Sequence, residues 1–240
     1  MIKEPLVVEM MSRDAILWRC LHGGSLTTDS IEQWAENGSI PWAKLRARNL
    51  PFLKKLMETY GACAVVARIG GLFVGHLRFY PRAVWTLAKP SLGMCLQQEF
   101  PYGPIEALVR SRFPPLEEIE DKTLVVHCMM LSSSGTGEEW PRRKGIGTQM
   151  ARTLIDWATA NGWHSIEATA YEGLPIIYAI TGQTGRSFWE KLGFQLIKTD
   201  HEPALDEETD FVRKMREQAR VRRLDPAMIK NKYIMRRDLR

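Results

Sequence analysis

Thr123-Leu124-Val125-Val126-His127-Cys128-Met129-Met130-Leu131, then Arg142-Arg143-Lys144-Gly145-Ile146-Gly147 after a polar Gly/Ser loop over 132–140, is the stretch that decides the fold. Its first nine residues are almost wholly apolar, as a strand buried on both faces of a helix-covered sheet must be. Beyond the glycines, Ile146, Met150, Leu154 and Trp157 or Ala158 recur at helical spacing, and Asn161-Gly162 supplies a stop. Glycines let the loop turn its N–H groups toward one point, and a helix N-terminus adds partial positive charge, so an anion is the expected guest. The three cations beside it suit a pyrophosphate. The loop lacks the lysine and hydroxyl of a Walker motif and the three spaced glycines of a dinucleotide motif.

Outward from this centre, Ser165 to Tyr171 reads as the next strand, Gly185 to Leu192 as a short helix, and Phe194 to Thr199 as a further strand. Upstream, Leu6-Val7-Val8 reads as a first strand. Helices are expected from Ser12-Arg13-Asp14 to His22, from Ile31 to Asn37, and from Phe52 to Tyr60, the last with Pro51 at its first helical position. Ala62 to Ile69, Gly70-Gly71 and Leu72 to Tyr80 form a hairpin. Residues 83–121 mix Trp85, prolines and a run of acids without steady periodicity, and read as an insertion with one short helix, Ile105 to Arg112. A charged helix, Phe211 to Leu224, and a last strand within 231–240 complete the chain.

The loop resembles the Gln/Arg-x-x-Gly-x-Gly/Ala motif of the GNAT N-acetyltransferase superfamily, with Arg142, Gly145 and Gly147 at the defining positions. Phe188-Trp189-Glu190-Lys191-Leu192-Gly193-Phe194 resembles that family's second signature, and Tyr233 to Leu239 its last strand. The resemblance implies an α/β (α+β) fold: a mixed, partly splayed sheet of six to seven strands flanked by helices. One domain over 1–240 would carry the 83–121 insertion and, over 200–230, an acidic hinge running into a basic helix. It also implies transfer of an acetyl group from acetyl-CoA to a primary amine by direct attack in a ternary complex. On that basis the backbone of Met129, Met130 and Leu131 would bind pantetheine and the thioester carbonyl. Arg142, Arg143 and Lys144 would pair with phosphates, while Gly145, Ile146, Gly147 and Thr148 would donate backbone or hydroxyl hydrogens.

An alkylammonium with a pKa near ~10 must lose a proton before it attacks, so a base beside the parted strands is required. Glu167, mid-strand beside Thr169 and Tyr171, is one candidate, because a carboxylate in a covered sheet is costly unless it faces a cavity. His127 in the buried strand and Glu172 just past the next are the others. The family's thiolate-protonating tyrosine falls on Trp189, whose indole N–H is no usable acid, and Gly182 and Gly185 replace an Asn and an Ala upstream. Tyr178 or Tyr171 would have to substitute, although a thiol pKa near ~8.5 makes thiolate a tolerable leaving group without an acid. These departures motivate an alternative, an acyl-CoA-binding module that has lost turnover.

Composition narrows the classes. The 240 residues are 45% hydrophobic and 25% charged, with eight Trp and eight Phe, which is too apolar for a disordered chain and enough for one large domain. The net charge of +5 would suggest nucleic acid, but its distribution argues otherwise. Residues 213–240 hold eleven Lys/Arg against three acids, and residues 200–212 hold six acids and no base, so the excess is largely cancelled locally. Four cysteines, more than thirty residues apart with no paired spacing, disfavour a metal. No signal-peptide core or membrane-length apolar run is visible, so a cytoplasmic protein is expected. The expected partner is a small-molecule or peptide amine, with neither membrane nor nucleic acid; a homodimer is allowed. The insertion, with Trp85, Phe100, Tyr102 and Phe113, reads equally as a wall of the amine groove or as a satellite hydrophobic cluster, and the basic helix is expected to face water.

Overall fold

The computed structural model describes residues 4–19, 21, 26–27, 42–92, 109–110, 112–132 and 145–239. In chain order they form β1 (Leu6–Met10), β2 (Leu26–Thr27), α1 (Trp42–Tyr60), β3 (Ala64–Ile69), β4 (Leu72–Pro81), α2 (Arg82–Leu92) and β5 (Thr123–Leu131). The second half adds α3 (Ile146–Ala160), β6 (Ser165–Ala170), α4 (Pro175–Thr181), α5 (Arg186–Glu190), β7 (Gln195–His201), α6 (Asp210–Val221) and β8 (Asn231–Asp238). The sheet runs β1-β3-β4-β5-β6-β8-β7, and β2 adds to β4 beyond the end of β5. Only β5 and β6 are parallel. It is a mixed α/β sheet of the kind expected, open at both edges.

Alternating residues of β4 show which layer covers which face. Phe79 packs on Trp157 of α3 at 5.4 Å, whereas Tyr80 meets Phe52 of α1 at 5.7 Å, so the two helices lie on opposite faces. Helix α3 buries Ile146, Met150, Ala151, Leu154, Ile155 and Ala158, a stripe at three- and four-residue spacing, against the sheet. Helix α1 buries Phe52, Leu53, Leu56, Met57 and Tyr60 in the same way. This apolar face carries α1 through Pro51, which lies in its interior rather than at its start. A second, smaller apolar cluster joins Leu174 and Ile177 to Leu205, Val212, Met215, Ala219 and Ile229, packing α4 against α6.

Two expectations fail for identifiable reasons. The helix expected from 12 to 22 does not form over the described part of that stretch, although Leu17, Trp18 and Leu21 are fully buried. Its carbonyls are taken from elsewhere. Arg78 Nη2 donates to Leu17 O at 2.7 Å and to Arg19 O at 2.8 Å, and Asn49 Nδ2 donates to Trp18 O at 3.1 Å. The 83–121 stretch begins with α2 rather than irregular chain. Of the helix expected at 105–112, Val109 and Arg110 are helical, Arg112 is not, and the other positions lie outside the described residues, as do Ile31 to Asn37. Helix α4 was not expected at all.

Candidate active site

Strand β5 pairs with β6 for four residues only, from Thr123 opposite Ser165 to Val126 opposite Ala168. Beyond Val126 the strands part, while β4 keeps its hold on β5 as far as Gly75 opposite Leu131. The register on β4 steps from Cys128 to Val126, so His127 is the extra residue of a bulge. A bulge re-aims side chains, and here His127 and Cys128, though consecutive, both line one cavity of about 640 Å³.

That cavity lies on the face shared by Val125, Glu167 and Arg236, which stand side by side across β5, β6 and β8. Trp85 of α2 and Phe211 and Met215 of α6 also border it. Glu167, with its side chain 9% exposed, is ion-paired with Arg82, and Arg236 Nη1 stands 3.6 Å away. Arg82 also reaches Asp121 at 2.9 Å. Two cations thus hold a carboxylate in a site that would otherwise exclude it. His127 packs on both Trp85 and Tyr80, which also stack on each other, and its Nδ1 is 3.5 Å from the Tyr80 hydroxyl. Burial, helped by Arg78 and His76, lowers its pKa to about 3, so the imidazole is neutral. Its neighbour Cys128 places Sγ 3.4 Å from Nε2 of His76, whose pKa burial also pushes well below the usual range. Glu172 accepts from the Tyr233 hydroxyl at 2.6 Å, which commits it away from the parting strands.

The free edge of β5 is met by residues 178–183. Gln183 Nε2 donates to His127 O at 2.7 Å, Met129 N–H donates to Gly182 O at 2.9 Å, and Leu131 N–H donates to the Tyr178 hydroxyl at 2.9 Å. Tyr178 therefore touches the stretch from Met129 to Leu131, on the side away from β4. Met130 turns its side chain toward Gly182. Trp189, in the position of the absent tyrosine, is buried against Phe188 and Phe194, and its indole N–H has no hydrogen-bond partner among the described residues.

Gly145 caps α3 with φ +75°, a conformation that favours glycine, and a Cβ there would meet nothing within 4 Å. The next N–H groups, of Ile146, Gly147 and Thr148, have no intrahelical acceptor. Gly147 sits against Met129, since a Cβ on it would lie 3.2 Å from Met129 Cε. The helix start and the parted end of β5 are thus adjacent. Arg142, Arg143 and Lys144 lie outside the described residues. Among the described residues no group of three His, Cys, Asp or Glu could hold a metal ion. Nor is any helix among them long and apolar enough to cross a membrane.

Several residues of the site carried no readable signal. Arg82 follows β4 without a motif, Gly182 and Gln183 lie in an unexpected segment, and Phe211 and Met215 belong to a helix whose charge pointed to solvent. The amphipathic spacing of Phe211 and Met215 was the one available clue.

A mixed sheet whose single parallel pair parts beside a glycine-capped helix defines the GNAT N-acetyltransferase fold. Solved structures share it: an agmatine N-acetyltransferase, 13% identical with a TM-score of 0.50, covers 98% of this chain and 99% of its own. A mosquito arylalkylamine N-acetyltransferase-like protein, 12% identical with a TM-score of 0.50, covers 98% of this chain and 100% of its own. At such identities the likeness is one of fold. The sequence matches no protein-family model and no curated protein.

Proposed function

We propose that the protein is an acetyl-CoA-dependent N-acetyltransferase acting on a primary amine. The observation that carries this reading is the parting of β5 from β6 after Val126, with a buried carboxylate on one side and an open helix start on the other. Backbone N–H groups along the parted edge suit an acyl carbonyl and its developing oxyanion. The first turn of α3, with Gly145, Ile146, Gly147 and Thr148, suits the phosphates of CoA, and Arg142, Arg143 and Lys144 are assigned to the same anion. Met129, Met130 and Leu131 supply the strand edge.

In the reaction the neutral amine nitrogen forms a bond to the thioester carbon and sheds one of its protons, the C–S bond breaks, and the CoA thiolate takes up one proton. The ammonium must first lose its own. Glu167 is assigned that proton, received through water, and its pairing with Arg82 fixes the carboxylate in place. His127 is a weak base at a pKa of about 3 and is assigned to shaping the cavity beside the reacting groups. Tyr178 is assigned the proton given to the thiolate, because a backbone N–H donated to its oxygen stabilises the phenolate that donation leaves.

A second reading, binding of acyl-CoA without turnover, draws on two observations: Trp189 in place of the usual acid, and a strand edge already met by Gly182 and Tyr178. The separating experiment incubates the protein with acetyl-CoA and a panel of amines, recording free thiol and the mass of the acceptor. Thiol release matched by an acceptor gain of one acetyl group is the expected result. CoA binding without turnover favours the second reading, and no CoA binding defeats both. Glu167→Gln should lower kcat/KM about 100-fold, within the range for loss of a general base, with CoA affinity kept.

A further inference from the structure

We propose that the acceptor is a primary amine on an apolar, singly charged body, and that Phe211 of α6 limits the size of that body. This rests on the acetyltransferase reading and adds the substrate class to it. The cavity of about 640 Å³ falls within the range of small-molecule sites, so a macromolecular acceptor would enter only by a side chain or terminus.

Charge decides the chemistry of the guest. Among the described residues, three carboxylates border the cavity, Glu167, Asp200 and Glu202, and so do three cations, Arg82, Lys198 and Lys232. Each carboxylate has its cation: Glu167 pairs with Arg82, Asp200 with Lys198 at 2.9 Å, and Glu202 with Lys232 at 3.2 Å. Glu202 also accepts from the Tyr171 hydroxyl at 3.1 Å. A guest with several ammonium groups would find no unpaired acid among these; Lys198 is exposed, but the pairs of Glu167 and Glu202 are part-buried and costly to break. A guest with one amine loses that charge in the reaction. The rest of its surface meets Trp85, Val125, Ile177, Leu205, Phe211 and Ile234. Apolar contact is what this wall can offer.

Helix α6 is built to hold that wall in place. Val212, Met215 and Ala219 form its buried stripe on the second apolar cluster, while Arg213, Lys214, Arg220 and Arg222 remain outside. Phe211, half-buried at the edge of this stripe, turns to the cavity together with Met215 one turn on. Opposition to change differs between them. Met215 is fully buried, whereas Phe211 can be shortened with α6 still anchored.

The test compares phenethylamine, spermidine and a peptide with a free N-terminus as acceptors for the full chain with acetyl-CoA. Phenethylamine is expected to have a kcat/KM at least about tenfold above spermidine, as a pocket with an apolar wall and acids already paired discriminates by desolvation. Phe211→Ala should raise the phenethylamine KM about tenfold with kcat nearly kept and the KM for acetyl-CoA unchanged, and Phe211→Leu should restore most of the loss. A preference for spermidine, or an equal effect of Phe211→Ala on every acceptor, overturns the inference. So does a Phe211→Ala variant that alters use of octanoyl-CoA but not of phenethylamine, since the cavity would then hold an acyl chain. If acetyl-CoA binds and no amine is acetylated, the acetyltransferase reading has failed by itself. Calorimetry with phenethylamine then decides the remainder: saturable binding weakened by Phe211→Ala keeps the apolar-amine pocket, and no binding rejects it.

Discussion

From Leu124 to Val126, β5 is bonded along both edges by neighbouring strands; from His127 to Leu131 only β4 keeps its hold, and the other edge meets an amide side chain, a carbonyl and a phenol. The two halves of one strand have different chemistry. Thr123, Val125 and Val126 are β-branched and suit a pleated ladder, whereas Cys128, Met129, Met130 and Leu131 are unbranched at Cβ and adapt to irregular surroundings. A ladder bond is lost only when strands separate. A bond from a side chain or a short helix can be exchanged for one to a ligand while the sheet stays whole. The paired half holds the fold together, and the parted half offers backbone groups to chemistry.

The boundary between the halves is His127, and acid tests it with the largest expected effect. Its pKa is about 3 in the folded protein against an ordinary 6.5, and that of His76 is lowered too. Between those values the unfolded chain binds protons that the folded chain refuses, so stability falls as pH drops below about 6.5 and is unaffected by these groups above it. His127 contributes up to about 1.4 kcal/mol per pH unit over this interval, and His76 acts in the same direction. Urea unfolding at pH 7, 6 and 5 should show the decline, and His127→Gln should make it shallower by one proton. An unchanged slope in that variant would mean that the bulge does not bury a neutral imidazole.

Gly145→Asp tests the phosphate site proposed at the start of α3. Position 145 needs φ near +75°, which Asp and Asn both tolerate better than other side chains, so strain is nearly the same in the two variants. The carboxylate alone opposes a phosphate. Gly145→Asp is expected to weaken CoA binding about 100-fold or more and Gly145→Asn only slightly, read by calorimetry. Equal affinities for the two variants would remove the phosphates from α3.

How far this division was legible in the sequence depends on the range of the forces involved. The nine residues of β5 and the stripe of α3 were readable because burial writes itself into local periodicity. The irregular chain around Leu17 and Trp18 was not, since Arg78 and Asn49, which take its carbonyls, lie far away in sequence. Helix α4 is seven residues long and is held by α6, so no periodicity of its own revealed it. Glu167 stood out as a charge on a covered strand, yet its partner Arg82 could be found only in space. The glycines at 145 and 147 read correctly as a helix start, and the signature tyrosine read correctly as absent. Neither showed that Tyr178 would approach β5 from another helix.

The smallest effect is expected from Tyr178→Phe, which tests the parted edge directly. Removing the hydroxyl takes away the acceptor of Leu131 N–H without changing the ring, so the edge keeps its shape and loses one bond. Two outcomes of opposite sign compete. If the hydroxyl chiefly occupies the edge, its loss frees a donor and acetyl-CoA binds more tightly. If it chiefly gives a proton to the thiolate, kcat falls while binding stays put. A tolerable leaving group limits the second effect, so kcat should fall only about tenfold, and least for acyl donors whose thiols are more acidic. Acetyl-CoA affinity against kcat separates edge from acid, and amide hydrogen exchange checks the bond itself, because Leu131 should exchange faster in the variant whichever role dominates. A variant with unchanged kcat, unchanged acetyl-CoA affinity and unchanged exchange at Leu131 would leave the two halves of β5 distinguished by geometry alone.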